Sequence, residues 1–129
     1  MKVIDYKALS LGERFTSKFH ITEQLVKDYI DVVEGTNQFD KVDKVPNYVF
    51  AIYKPIHEAV GQLAQGTIHL KQKMEHYSDV YIGDELEVIV TIKEKYKKNS
   101  RDYLVIEVEF LQDDTLVCKH ETTHLWALA

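Results

Sequence analysis

VPNYVFAIYKPIHEAVGQL, residues 45–63, is the longest run of the chain that is apolar on nearly every side. Val49, Tyr53, Ile56, Val60 and Leu63 recur at alternating gaps of four and three, the spacing of one helix face. Phe50, Ile52 and Ala59 widen that stripe, so this helix must be covered on several sides. Pro46 suits a first helical turn, where its missing N–H has no partner to lose. Pro55 is different. It removes the bond to the Ala51 carbonyl, which predicts a kink or break near Tyr53 and Lys54. A more regular helix then runs from Pro55 to Leu63, with Gly61 beginning its end. Everything after it reads as strand, so the expectation is an α+β chain with an antiparallel sheet curled around a long central helix.

Upstream, Leu11-Gly12-Glu13 is a turn signal, and Arg14 to Ile21 alternates Phe15, Ser17, Phe19 and Ile21 against Thr16, Lys18 and His20 as a first strand. Thr22 has the chemistry of an N-cap and Glu23 suits the positive end of a helix dipole. That helix reaches about Val33, burying Leu25, Val26, Tyr29, Ile30 and Val33, and Gly35 closes it. Thr36 to Val45 is polar and irregular.

Downstream, Thr67 to Tyr77 reads as a strand with Ile68, Leu70, Gln72, Met74 and His76 on one face, only part of it apolar. Tyr81-Ile82-Gly83-Asp84 turns the chain. Glu85 to Lys95 alternates through Leu86, Val88, Val90 and Ile92; Lys98-Asn99-Ser100 turns again; Tyr103 to Phe110 follows. Asp113-Asp114 is the next hairpin turn, and Leu116 to Leu128 the last strand. The expected order is strand, helix, helix, then four strands in an antiparallel meander.

At 129 residues the chain fits one domain. Hydrophobic residues make up 45% and charged residues 29%, an ordinary globular composition rather than a disordered one. A net charge of −5 argues against nucleic acid as partner, since phosphate binding needs a concentrated positive surface. The one basic cluster, Lys93, Lys95, Lys97, Lys98 and Arg101, falls where a hairpin turn is expected and is read as its solvation. The single cysteine, Cys118, excludes an intrachain disulfide and offers no zinc-ligand spacing, which fits a reducing compartment. No apolar run has signal-peptide or membrane-spanning length, so a cytoplasmic protein without a membrane partner is expected.

The order of elements is that of a hot-dog fold, and one stretch carries the likeness further. His69-Leu70-Lys71-Gln72, followed by Gly83-Asp84-Glu85-Leu86, resembles the MaoC-like acyl dehydratases, in the branch with a His-x-x-Gln … Gly-Asp-x-Leu pattern. Leu11-Gly12, Ile21-Thr22 and Val45-Pro46 fall at the family's places too. The resemblance implies a single hot-dog domain over residues 1–129, no cofactor and no metal, and an acyl-CoA or acyl-carrier-protein thioester as ligand. It also implies edge-to-edge pairing of sheets as a homodimer, or as a heterodimer with a subunit that carries the catalytic pair.

Members of that family that hydrate 2-enoyl thioesters carry Gly-Asp-x-Asn-Pro-aliphatic-His after the first helix, an acid/base pair that adds water and returns its proton. Here the segment reads Glu34-Gly35-Thr36-Asn37-Gln38-Phe39-Asp40. Asn37 survives; Gly35 stands at the acidic position and Asp40 at the histidine position. The resemblance is therefore to the half of a paired assembly that lacks the dyad and helps to hold the acyl chain.

Candidate catalytic residues are Asp40, Asn37 and His57, with an Asp40–His57 pair as a rebuilt acid/base or His57 as an ordinary helix-surface residue. Asn47 and Tyr48, at the start of the central helix, would meet the thioester carbonyl, as the family implies. Tyr48, Phe50, Tyr53 and Met74 line an acyl tunnel or are simply core. His69 reads as a packing or interface residue. His120 and His124 share one face with Thr122 between them, and with His76 they raise a metal site that lacks a third ligand of diagnostic spacing. Two further readings stay open: a hot-dog thioesterase with Asp40 or Glu34 as general base, and a ligand-free structural or interaction module.

Overall fold

A computed structural model describes residues 2–34 and 54–128. After a short 3-10 turn at Tyr6–Ala8 come β1 (Arg14–His20), α1 (Glu23–Glu34), α2 (Lys54–Ala59), β2 (Ile68–His76), β3 (Glu85–Lys98), β4 (Arg101–Gln112) and β5 (Thr115–Leu125). The five strands make one antiparallel, curled sheet in the order β1-β3-β4-β5-β2.

Period-two alternation sets the inner face. Leu86, Val88, Val90 and Ile92 of β3 are fully buried, and register places Val88 beside Phe110, Val90 beside Val108 and Ile92 beside Ile106. Phe19 of β1 meets Phe110 with ring centroids 5.8 Å apart. The outer face is charged: Lys93 pairs with Glu121 at 2.7 Å and Lys119 with Glu107 at 3.5 Å. Asn99 and Ser100, then Asp113 and Asp114, take positive φ at the two hairpin tips, the twist that tight hairpins require.

The expected four-strand meander is corrected to three strands. β3, β4 and β5 are joined by tight hairpins, but β2 lies beside β5 at the far edge and does not pair with β3. The reason is local. The turn at Tyr81–Asp84 is fastened to the end of β1, with Gly83 N–H donating to the Ile21 carbonyl at 2.8 Å and Ile21 N–H to the Asp84 carbonyl at 2.9 Å. The chain between β2 and β3 therefore crosses the sheet, with Val80 buried on the way.

α1 starts as expected: the Thr22 hydroxyl accepts from Leu25 N–H at 3.1 Å. Val26 is fully buried and Leu25 packs beside the core. The side chains of Tyr29, Ile30 and Val33, and Gly35 with the segment Thr36 to Val45, lie outside the described residues.

The described part of the central helix ends at Ala59, not Leu63. Gly61 has φ 136°, and the chain then runs beside the N-terminus, Gln62 N–H donating to the Lys2 carbonyl at 2.7 Å and Ile4 N–H to the Gln62 carbonyl at 2.8 Å. A Cβ at Gly61 would stand 2.8 Å from the Lys2 carbonyl oxygen, so only glycine admits this approach. The kink expected near Tyr53 falls outside the described residues.

The basic cluster is also placed differently. Lys93, Lys95, Lys97 and Lys98 lie along β3, and the turn itself is Asn99–Ser100. A shift of register between Ile92 and Glu94 puts Lys95 opposite Leu104. Its ammonium donates to the carbonyls of Tyr6 and Leu9 at 2.7 and 2.8 Å, above the Tyr6 ring. That ring leans on Trp126, and the Tyr6 hydroxyl donates to the Tyr103 carbonyl at 2.7 Å, so the N-terminal segment closes this end of the core.

Candidate functional site

The inner face divides into a dry half and a polar half. α2 covers the dry half. Ile56 is buried against it, and the Ser17 hydroxyl of β1 donates to the Pro55 carbonyl at 3.1 Å, tying helix to sheet. Beside this junction Lys18, Phe19, His20, Thr22, Leu25 and Glu58 line a cavity of about 210 Å³. His57 is half-buried on α2, and burial holds its imidazole below the ordinary histidine range.

The polar half belongs to β5 and β2. Alternation on β5 turns Cys118, His120, Thr122 and His124 inward, all of them buried. Across the ladder stand His76 opposite Cys118, Met74 opposite His120, Gln72 opposite Thr122 and, after a bulge, His69 opposite His124. Burial falls steeply between the two strands: His120 is 2% exposed and His124 fully buried, whereas His69 and Gln72 are exposed.

The bulge sets two rings together, the His69 and His124 centroids lying 5.2 Å apart. His69 Nε2 faces the Lys71 carbonyl at 2.9 Å and so must carry the proton it donates. His124 Nε2 and the Thr122 hydroxyl share a hydrogen bond of 2.9 Å. Cys118 Sγ lies 3.9 Å from His76 Nε2, and burial pushes the thiol up to about 12, leaving it protonated and unreactive.

Burial, then the neighbouring imidazoles of His69 and His76, push His120 down to about 4. Burial, then His69 and His120, do the same to His124. Both rings are neutral at pH 7, each with one donor and one acceptor nitrogen. His120 Nε2 is buried with no hydrogen-bond partner among the described residues.

Of the residues proposed from sequence, Asn37, Asp40, Asn47, Tyr48, Phe50 and Tyr53 lie outside the described residues. His57 and Met74 are described and are not brought together, His57 riding over the β1–β3 half and Met74 standing on β2 at the opposite end of the strand order. Met74 is partly buried and packs against the core. The exposed His69 ring lies against buried His124. Among the described residues no three His, Cys, Asp or Glu side chains converge as metal ligands, although His76, His120 and His124 share the face. What sequence reading missed is the depth of burial of the His120-Thr122-His124 row; its alternation was visible, its cover was not.

No protein-family model matches the sequence, and no curated protein matches it. Solved structures do. The R-hydratase PhaJ1 from Pseudomonas aeruginosa matches with a TM-score of 0.70 at 22% identity, over 98% of this chain and 87% of that one. A MaoC-like dehydratase from Rhodospirillum rubrum matches with a TM-score of 0.69 at 15% identity, over 95% of this chain and 97% of that one. The HadBC (3R-hydroxyacyl-ACP dehydratase) complex from Mycobacterium tuberculosis matches with a TM-score of 0.67 at 16% identity, over 89% and 96% of the two chains. The chain has the hot-dog fold of the MaoC-like dehydratases and (R)-hydratases. Among the described residues no helix is long and apolar enough to cross a membrane.

Proposed function

We propose that residues 1–129 form one hot-dog domain that binds acyl thioesters of CoA or an acyl carrier protein without hydrating them, as the partner of a subunit that carries the acid/base pair. The observation that carries this reading is a mismatch. The fold follows that of a hydratase over almost the whole chain, while by the sequence resemblance Gly35 and Asp40 stand where the hydratase Asp and His would fall. Proton transfer to and from carbon needs a positioned acid/base group, and replacing both members removes that route while leaving the cleft.

Edge geometry supports the pairing. β2 ends the sheet, and Ile68 and Leu70 on it are 51% and 46% exposed, an apolar strand edge of the kind proteins cover. A second hot-dog chain, identical or catalytic, continues the sheet there. The place of such a protein is acyl-thioester metabolism in the cytoplasm.

Hydration of 2-enoyl-CoAs of several lengths, followed at the enoyl absorbance with thiol release in parallel, tests the reading. Silence in both channels together with measurable acyl-CoA binding is the expected result. Hydration at ordinary hydratase rates that Asp40→Asn abolishes would overturn it, and robust thiol release would replace it with a thioesterase based on Asp40 or Glu34.

A further inference from the structure

We infer that the open edge of β2 is occupied, in the isolated protein, by β2 of a second copy of this chain, running antiparallel about a two-fold axis at Met74. The inference rests on the edge pairing proposed above and not on acyl-thioester binding; a subunit bearing the acid/base pair would take the place of one copy.

β2 ends the sheet, and every residue from Ile68 to Lys73 is exposed. That includes Gln72, although it shares the inner face with Thr122 directly opposite, which is fully buried. A strand left open in this way is a template for another strand. Backbone direction says which residues would pair. Tyr77 N–H donates to the Val117 carbonyl of β5 at 2.8 Å. Backbone groups alternate in direction along a strand, so those of Gln72 and Met74 point away from β5, toward the edge. Side chains alternate as well: Lys71, Lys73 and Glu75 lie on the outer face, and Gln72, Met74 and His76 on the inner face.

Charge then selects both the occupant and the register. Two copies of one strand related by a two-fold axis are the same sequence read in opposite directions, so the position of the axis decides which side chains face each other. With the axis at Lys71, Lys73 or Glu75, that residue would face its own copy. At Gln72, Lys71 would face the partner's Lys73. At Met74 each Lys73 faces the partner's Glu75, while Gln72 faces the partner's His76 and Lys71 the partner's Tyr77. The same choice continues a pattern already present within one chain, where Lys73 stands opposite Glu121 and Glu75 opposite Lys119. Across the joined sheets the outer row reads Glu121, Lys73, the partner's Glu75 and the partner's Lys119, alternating in sign. Opposite charges facing across strands stabilise a pair, and like charges weaken it. On the inner face Met74, which packs against the core, meets its own copy, so the polar halves of the two sheets adjoin and each is bordered by the other copy's Gln72 and His76.

Sedimentation velocity and amide exchange on the wild-type chain, followed by charge changes at Lys73 and Glu75, test this. Wild type is expected to sediment as a dimer at micromolar concentration, with the amides of Gln72 and Met74 protected there and exchanging faster on dilution. Lys73→Glu or Glu75→Lys alone sets like charges face to face at both symmetric places and should raise the dimer dissociation constant roughly tenfold. Mixing the two variants should restore association, because every facing pair is then opposite in sign, and the double variant Lys73→Glu/Glu75→Lys should restore it for the same reason. Lys71→Glu, facing Tyr77, should change the constant by less than about threefold. A monomeric wild type overturns the inference and leaves a catalytic subunit as the occupant, with acyl-thioester binding untouched. A dimer whose Gln72 and Met74 amides exchange freely, or one indifferent to the single charge changes, overturns it by placing the interface elsewhere. Failure of the mixture to associate, or weakening by Lys71→Glu as great as by Lys73→Glu, refutes the register.

Discussion

Acidification from pH 7 to pH 5 is expected to cost this protein a large part of its stability, and the buried histidines set the amount. His120 and His124 are held near 4 in the folded chain, against about 6.5 for exposed imidazoles in the unfolded one. Between those values the unfolded chain takes up protons that the folded chain refuses, so stability present above pH 6.5 drains away as pH falls toward 4. Integrated from pH 7 to pH 5, a shift of that size amounts to about 2 kcal/mol per imidazole. The two rings repel one another when charged, so their contributions do not simply add, and roughly 3 kcal/mol together is a fair expectation out of a typical total of about 5–15. His57 and His76, also depressed by burial, act in the same direction. Urea unfolding followed by the fluorescence of Trp126 should show its midpoint falling by roughly 1.5–2 M between pH 7 and pH 5, given slopes of about 1.5–2 kcal/mol per molar. The double variant His120→Gln/His124→Gln should flatten the profile. Equal or greater stability at pH 5 would refute the reasoning, since it would mean that these rings accept protons inside the folded chain.

Four substitutions probe the frame around the site. Ile56→Ala should cost about 3 kcal/mol and lower the melting temperature by roughly 10 °C, because it empties a buried position under α2, while Glu58→Ala on the exposed side of the same helix should stay within about 0.5 kcal/mol; a comparable loss at both positions in thermal unfolding would contradict the assigned faces. Gly61→Ala should cost at least about 2 kcal/mol, since its Cβ would stand 2.8 Å from the Lys2 carbonyl oxygen at a φ of 136°. Asp114→Gly should stabilise the β4–β5 hairpin by about 0.5 kcal/mol, because residue 114 has a φ of 66° that glycine adopts at less cost; a lower melting temperature for that variant would show that the Asp114 side chain matters more than its backbone.

How much of this was legible depended on whether the signal was local. The rows Leu86-Val88-Val90-Ile92 and Leu104-Ile106-Val108-Phe110 announce their strands by alternation, and Thr22 announces its helix by side-chain chemistry, so these elements were placed by sequence with ends short by up to three residues. Pairing partners are not local. Tyr81-Ile82-Gly83-Asp84 has the composition of a hairpin turn, and nothing in those four residues says that Gly83 will donate to Ile21 rather than close a hairpin between β2 and β3. The end of α2 was missed for the same reason: the apolar spacing continues through Val60 and Leu63, but the contact with Lys2 that stops the helix comes from the other end of the chain. On β5 the alternation of His120, Thr122 and His124 was plain, yet alternation gives the face a side chain points to and not how deeply that face is covered. Asn37, Asp40, Asn47, Tyr48, Phe50 and Tyr53 rest on sequence alone.

The strand order has a consequence for how the chain acquires its shape. β1 lies against β3, with Arg14 opposite Thr91, and β2 lies against β5, with Ile68 opposite Leu125. Both outer strands are thus made early and matched late, whereas β3, β4 and β5 are neighbours along the chain and close through tight turns. Closing long loops before any bond rewards them is slow, so the central three strands form the nucleus and the outer two join afterward, on a timescale of roughly milliseconds to seconds. On a ribosome, β1 waits as an open strand until β3 has emerged, and β2 until β5 at residues 115–125 has. In that interval the unpaired β2, with Ile68, Leu70 and Met74 uncovered, makes the growing chain a client for a chaperone that shields extended segments.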